Sequence, residues 1–306
     1  MIFRVGVGES DFAALRRSGK YYVDKTAVMY ELVEETENKV TLFTRPRRFG
    51  KTLMMSMLSN FFSIRKDSRE IFEGLRITAY KEFCEKWMNQ SPVLFLSYKD
   101  VEAETFEGAY RMLKTKLADL CKELDFLLEE TAVNSADRDI FRKLMFKTAE
   151  EDDVKNSLKI IMRMLYAVYG RKTILLIDEY DVPLARASEK NTVENAYYSA
   201  MLDVIKGMMG TALKDNEFLE FSVITGCLRI AKESIFTGTN NFASYSVLDA
   251  DFSEYFGFSE EEVKKMLLAA DRQDKADLIK EWYDGYIFGD SFLSIRRRDL
   301  EDRIYS

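Results

Sequence analysis

The sequence predicts an α/β fold built on a mostly parallel five-stranded sheet, and three observations predict it. Short apolar runs recur along the chain, and each is followed by text with helical periodicity. The runs are brief and rich in β-formers, as strands buried in a parallel sheet would be. Two charged clusters, Arg45–Thr52 and Asp178–Asp181, stand directly after such runs. In parallel sheets the carboxyl ends of strands are where ligands bind.

The elements follow in order. Residues 1–38 hold a polar start, then Tyr21–Val23, then the helical stretch AVMYELVEE. Asp24 and Thr26 stand where helix N-caps belong. Val40–Phe43 is the first strand, RPRRFGKT follows it, and LMMSMLSNFF reads as a helix whose Met54, Met55 and Met57 fill core. Pro92–Ser97 is the second strand. From Phe106 to Leu127 apolar residues recur at three- and four-residue steps, the mark of one long amphipathic helix. Helical patterns continue around 138–148 and 155–169. Thr173–Ile177 is the most apolar strand, a helix runs from about Val193 to Leu213, and Phe218–Ile224 is the fourth strand. Tyr245–Leu248 is the candidate fifth. Beyond Phe252 the text is helical again, first SEEEVKKMLLAA and then KADLIKEWYDGY.

Composition narrows the chemistry. The chain has 306 residues and no histidine, so it can carry no histidine triad, no histidine-ligated zinc and no imidazole proton shuttle. Its formal charge of −7 argues against coating nucleic acid through bulk charge, and direct nucleic-acid binding is not indicated. Cys84, Cys121 and Cys227 lie far apart, which predicts reduced thiols in a cytoplasmic protein. No apolar run approaches the length of a membrane span, and Glu9 comes before any long apolar run at the start, so a signal peptide is not expected.

Gly50-Lys51-Thr52, between a strand and a helix, closes the G-x-x-x-x-G-K-[ST] phosphate loop. Amides at a helix start point at an anion, and the helix dipole adds partial positive charge. Gly50 removes the Cβ that would keep phosphate away, Lys51 supplies a point charge, and the Thr52 hydroxyl is a ligand for Mg²⁺. Arg47, Arg48, Phe49 and Leu53 complete the predicted ATP-binding stretch. The first glycine of the general pattern is Arg45 here, and Pro46 stiffens the turn. With Arg45, Arg47, Arg48 and Lys51, the loop is strongly basic.

Asp178-Glu179 ends the third strand in the Walker B form. Asp178 would hold Mg²⁺ and Glu179 would polarise the attacking water as general base, because neighbouring strand residues point to opposite sides and cannot share one task. Asp181 reads either as part of the metal shell or as a turn or helix cap, and Tyr180 as packing. At the end of the fourth strand Thr225 is the candidate γ-phosphate sensor. Arg229 is the candidate arginine finger, in cis or toward a neighbour, against a plain surface charge.

These residues together resemble the AAA-ATPase-like family of bacterial predicted P-loop ATPases, often joined to a C-terminal PD-(D/E)XK-type nuclease region. The blocks that carry the resemblance are GESDFAALR (Gly8–Arg16), YYVDKT (Tyr21–Thr26), RPRRFGKT, IDEYDVPL (Ile177–Leu184), ITGCLRIAKESIFTGTNN (Ile224–Asn241), YFGFSEEEV (Tyr255–Val263) and WYDGY (Trp282–Tyr286). The resemblance implies an ASCE-type P-loop NTPase three-layer sandwich with strand order 5-1-4-3-2. It also implies that Lys25 approaches the nucleotide and that a helical lid begins after Phe256. After WYDGY the text departs from the family, and the expectation is a shortened chain without the nuclease region. The expected division is a P-loop ATPase core over 1–250, with its N-terminal segment, and a partial helical lid over 251–306. The expected function is Mg²⁺-dependent ATP hydrolysis driving a conformational change. The alternative is a nucleotide-dependent switch with little hydrolysis. A homo-oligomer, or a protein partner met through the lid or tail, completes the expectation.

Overall fold

The computed structural model describes residues 8–189, 196–227, 235–239, 241–276, 286–288 and 292–294. In chain order the elements are α1 (Phe12–Arg17), α2 (Val28–Tyr30), β1 (Val40–Thr44), α3 (Lys51–Phe62), α4 (Arg69–Phe72), α5 (Lys81–Trp87), β2 (Val93–Ser97), α6 (Phe106–Glu123), α7 (Ser135–Met145), α8 (Glu151–Tyr169), β3 (Thr173–Asp178), α9 (Val182–Glu189), α10 (Ala196–Leu213), β4 (Leu219–Gly226), β5 (Phe242–Tyr245), α11 (Glu260–Ala269), β6 (Tyr286–Phe288) and β7 (Phe292–Ser294). The chain forms two compact units. The first comprises Met1–Glu37, Phe43–Gln90 and Ser244–Ser306, and the second Asn38–Leu42 and Ser91–Ala243. The division passes through β1 and β5.

The five strands form an all-parallel sheet of order β2-β3-β4-β1-β5, the order that the family resemblance implies. β2 pairs with β3 from Val93–Ile174 to Ser97–Asp178, and β3 pairs with β4 with a register shift between Thr173 and Leu175. Lys39 and Val40 both donate from their backbone N–H to the Asn241 carbonyl, and the Ser222 amide donates to the Lys39 carbonyl. Every residue of β3 is buried, which is why Ile174–Ile177 is continuously apolar rather than alternating. In the second unit α6, α8 and α10 present apolar stripes to the core, among them Leu113, Leu117, Leu158, Ile161, Met208 and Met209. Thr105 caps α6 by accepting from the Gly108 amide, and Gly170, at φ 63°, ends α8 in the left-handed conformation that glycine adopts without strain. An Asp137–Arg163 ion pair ties α7 to α8.

The first unit is built on α3 and an aromatic cluster. Met54, Met55 and Met57 are buried as core, and Phe72 stacks on Phe12 while meeting Phe61 edge-on. Asp24 and Thr26 do not cap α2. Asp24 accepts from the Thr26 and Arg76 amides, and the Thr26 hydroxyl oxygen accepts from the Ile77 amide, so the pair staples the N-terminal segment to residues 76–77. α11 begins with a capping box, Ser259 and Glu262 each bonding the other's backbone.

Two expectations are corrected here. The fifth strand is Phe242–Tyr245, not Tyr245–Leu248. Ser246 instead opens a turn, both its amide and its hydroxyl donating to the Asp249 carboxylate, and Leu248 is exposed. The helical text expected to include Tyr286 does not: Tyr286 opens β6, which pairs antiparallel with β7, and residues 277–285 lie outside the described residues. Among the described residues no helix is long and apolar enough to cross a membrane.

Candidate functional site

The basic loop belongs to the first unit. Pro46 leads into a turn at Arg47 and Arg48, both exposed, with Arg48 in the left-handed region at φ 73°. Gly50 follows at φ 84°, ψ 13°, and immediately precedes the 12-residue α3. A Cβ on Gly50 would meet no atom within 4 Å, so its backbone conformation, not crowding, is what calls for glycine. The first amides of α3 have no carbonyl partners within the helix, an arrangement that favours negative charge at a helix start. Lys51 is bent back over the turn, and its ammonium donates to the Arg45 and Pro46 carbonyls at 2.9 Å each. Only 5% of this lysine is exposed. A phosphate would bring it an opposite charge, which these neutral carbonyls do not.

Arg45 is not among the cations available to a ligand. It is fully buried, donates to the Thr44 and Tyr245 carbonyls, and lies 4.8 Å over the Phe256 ring. Burial pushes its pKa down to about 10, with Asp249 opposing the shift. Arg45 therefore replaces a loop glycine by a side chain that leaves the loop and anchors it to the residues after β5. The Gly257 amide adds a second anchor by donating to the Phe49 carbonyl.

The acidic cluster belongs to the second unit. Asp178 ends β3 almost wholly buried, and its Oδ1 accepts a 2.5 Å bond from the Thr225 hydroxyl at the end of β4. The backbone continues the sheet pairing on both sides, Tyr98 N–H donating to the Asp178 carbonyl and Tyr180 N–H to that of Thr225. Glu179, half-buried, has φ 56°, so the strand ends in a left-handed turn at this residue. Non-glycine residues in this region carry strain that tends to collect at functional positions. Tyr180 is fully buried and packs on Phe236. Both Asp181 carboxylate oxygens accept from the Cys227 amide. A Cβ on Gly226 would stand 2.5 Å from the Tyr180 ring, which leaves room for glycine alone. Thr225→Val is expected to lower stability by about 1–3 kcal/mol in urea unfolding, since it takes a hydroxyl donor from a buried carboxylate. An unchanged midpoint would show that this bond contributes nothing.

The structure thus places Lys25, Arg47, Arg48, Phe49, Gly50, Lys51, Thr52 and Leu53 in the first unit and Asp178, Glu179 and Thr225 in the second. It joins Thr225 to Asp178 directly. Arg229 lies outside the described residues. The Lys25 ammonium is paired with Glu262 and donates to the Glu254 carbonyl; burial lowers its pKa, and Glu262 opposes the shift. Beside Gly50 and Leu53 opens a cavity that also takes in Tyr21, Tyr22, Tyr255 and Phe258. Sequence reading missed these aromatics as site residues. The Tyr21-Tyr22 pair just ahead of the loop was the one available signal.

A parallel sheet of this strand order, with a glycine–lysine–threonine turn between β1 and its helix, defines a P-loop NTPase-like fold. Comparison with known proteins agrees. The chain belongs to the AAA-ATPase-like family, described as predicted AAA-ATPase, which matches residues 6–236. It is also similar to an uncharacterized protein in the vnfD 5′ region of Azotobacter chroococcum mcd 1, 25% identical over 287 residues. That similarity covers 92% of this chain and 48% of the relative, so the chain spans about half the length of the curated relative it matches. Family membership suggests nucleotide binding.

Proposed function

We propose that the chain binds ATP with Mg²⁺ on the turn before α3 and hydrolyses it to drive a conformational change. The observation that carries this reading is Lys51 folded onto the Arg45 and Pro46 carbonyls above the left-handed Gly50 turn. On binding, the Lys51 ammonium turns from these carbonyls to the β- and γ-phosphates, and the amides at the start of α3 hold the phosphate chain. Arg47 and Arg48, exposed in the turn, add charge toward the polyphosphate.

The donors assigned to the metal are the Thr52 hydroxyl and the Asp178 carboxylate. Mg²⁺ is held by one or two protein oxygens together with water and phosphate oxygens, and a hydroxyl plus a carboxylate fits that chemistry. When bound, the ion neutralises charge on the β- and γ-phosphates. Glu179 accepts the proton of the attacking water. Thr225 orients Asp178 and serves as the γ-phosphate sensor, and Arg229 supplies the finger, from its own chain or a second copy. The residues from 251 onward act as a lid, which the Gly257–Phe49 bond supports by tying that segment to the loop.

ATP titration by calorimetry, with phosphate release followed in parallel, tests the proposal. Saturable Mg²⁺-dependent binding with turnover supports it. Tight binding without turnover replaces it with a nucleotide-operated switch, and no binding overturns both.

A further inference from the structure

The register between β3 and β4 runs to Ile177–Ile224. Beyond it hydrogen bonds continue across the same seam, within the second unit. The Thr225 hydroxyl donates to the Asp178 carboxylate, and the Tyr180 amide donates to the Thr225 carbonyl at 3.0 Å. The Cys227 amide donates to both Asp181 carboxylate oxygens, at 3.2 and 3.1 Å. This last bond differs in kind from the ladder before it. β3 leaves the sheet at Glu179, whose φ of 56° turns the chain toward α9. At Asp181 the backbone carbonyl already accepts from the Leu184 and Ala185 amides of that helix. Its side chain, only 2% exposed, is what reaches back to β4.

Gly226 lies inside this seam with no space to spare. A Cβ there would stand 2.5 Å from the Tyr180 ring and 2.7 Å from Asp181 Oδ1. The Tyr180 ring is itself fully buried and packs on Phe236, with ring centroids 5.6 Å apart. Close-packed interiors transmit displacement rather than absorb it. A shift at Cys227 therefore reaches Thr225, two residues back, and through it Asp178. A charged acceptor that presents both oxygens to one backbone amide is placed to prevent that shift.

We propose that Asp181 is a positioning residue: its carboxylate clamps the exit of β4 to the exit of β3 and so holds the Thr225 hydroxyl on Asp178, and it takes no place in the metal shell. This role rests on the reading of Asp178 and Thr225 as parts of an ATP-hydrolysing site. Asp181 acts on the reaction only through those two residues. The expected effect is on rate rather than affinity, since a misplacement of about 1 Å in a reacting constellation costs about 10²-fold.

Variants of the full chain test the clamp. Asp181→Ala removes the acceptor, Asp181→Asn keeps an acceptor of the same size without the charge, and Gly226→Ala pries the seam apart with Asp181 intact. Each is followed by hydrogen exchange at the Cys227 amide, by calorimetric ATP affinity, and by phosphate release at saturating ATP over a range of Mg²⁺. Asp181→Ala and Gly226→Ala are expected to speed the exchange at least about tenfold and to lower turnover about 10–100-fold, with ATP affinity within about threefold of the wild type. Asp181→Asn is expected to keep turnover, and the Mg²⁺ concentration for half-maximal turnover, within about threefold of the wild type. A Mg²⁺ requirement raised about tenfold or more in Asp181→Asn puts Asp181 in the metal shell and overturns the proposal. Asp181→Asn as slow as Asp181→Ala overturns it too, and so does unchanged exchange or unchanged turnover in a folded Asp181→Ala chain. If Asp181→Ala does not fold, the same two results in Gly226→Ala decide. A wild-type chain without turnover overturns the hydrolytic reading instead. The exchange rate at Cys227 then supports or overturns the clamp by itself.

Discussion

Lys51→Ala is expected to raise the dissociation constant for ATP with Mg²⁺ at least about a hundredfold, with the fold retained. A hydrogen bond to a charged group contributes about 1.5–3 kcal/mol net, and this ammonium has two to redirect toward phosphate. The fold should survive because the Pro46 carbonyl that Lys51 leaves behind borders the exposed Arg47–Arg48 turn, while the buried Arg45 carbonyl loses one donor at a cost of about 1–3 kcal/mol. Removing the lysine also removes the desolvation cost of a side chain that is only 5% exposed. Calorimetry measures the affinity and thermal melting checks the fold. Wild-type affinity in a folded variant would mean that the turn before α3 does not hold the nucleotide.

Glu179→Gln is expected to bind ATP as the wild type does while turnover falls about 10²–10⁴-fold, the range that a positioned general base contributes. The amide is the same size as the carboxylate and cannot accept a proton at neutral pH. It also leaves untouched the left-handed backbone at this position, φ 56°, so a loss of rate cannot be assigned to a changed turn. Phosphate release under saturating ATP, beside calorimetric affinity, separates the two effects. An unchanged rate removes Glu179 from the role of base. Reduced affinity with unchanged turnover at saturation would make it a binding residue instead.

Much of the sheet was legible because its determinants are local. Ile174–Ile177 is continuously apolar, and burial on both faces demands that. The Gly50-Lys51-Thr52 turn was legible for the same reason, since its conformation is set by one glycine and one helix start. The fifth strand was misplaced because Tyr245, Val247 and Leu248 mimic a strand's apolar content. The Ser246–Asp249 turn that ends β5 depends on side-chain bonding that periodicity does not register. Asp24 and Thr26 look like caps in sequence, but their partners are at 76–77, some fifty residues on. Arg45 was counted with the loop's cations, yet its guanidinium is committed to Tyr245 and Phe256. No local pattern announces a partner two hundred residues away. The aromatic cavity was missed because Tyr21, Tyr255 and Phe258 are adjacent only once the chain has folded.

The anchoring of Arg45 bears on the order of events during synthesis. The turn that carries Gly50 and Lys51 leaves the ribosome early, but Tyr245, Phe256 and Gly257 follow some two hundred residues later. Contacts of such wide sequence separation close late, after more local structure has formed. Until they close, the Arg45 guanidinium has no interior to enter and stays in water. A nascent chain therefore exposes the complete glycine–lysine–threonine motif well before the loop acquires its final shape. A fragment trimmed to residues 6–236, where the family match ends, would keep the motif and lose every one of these anchors.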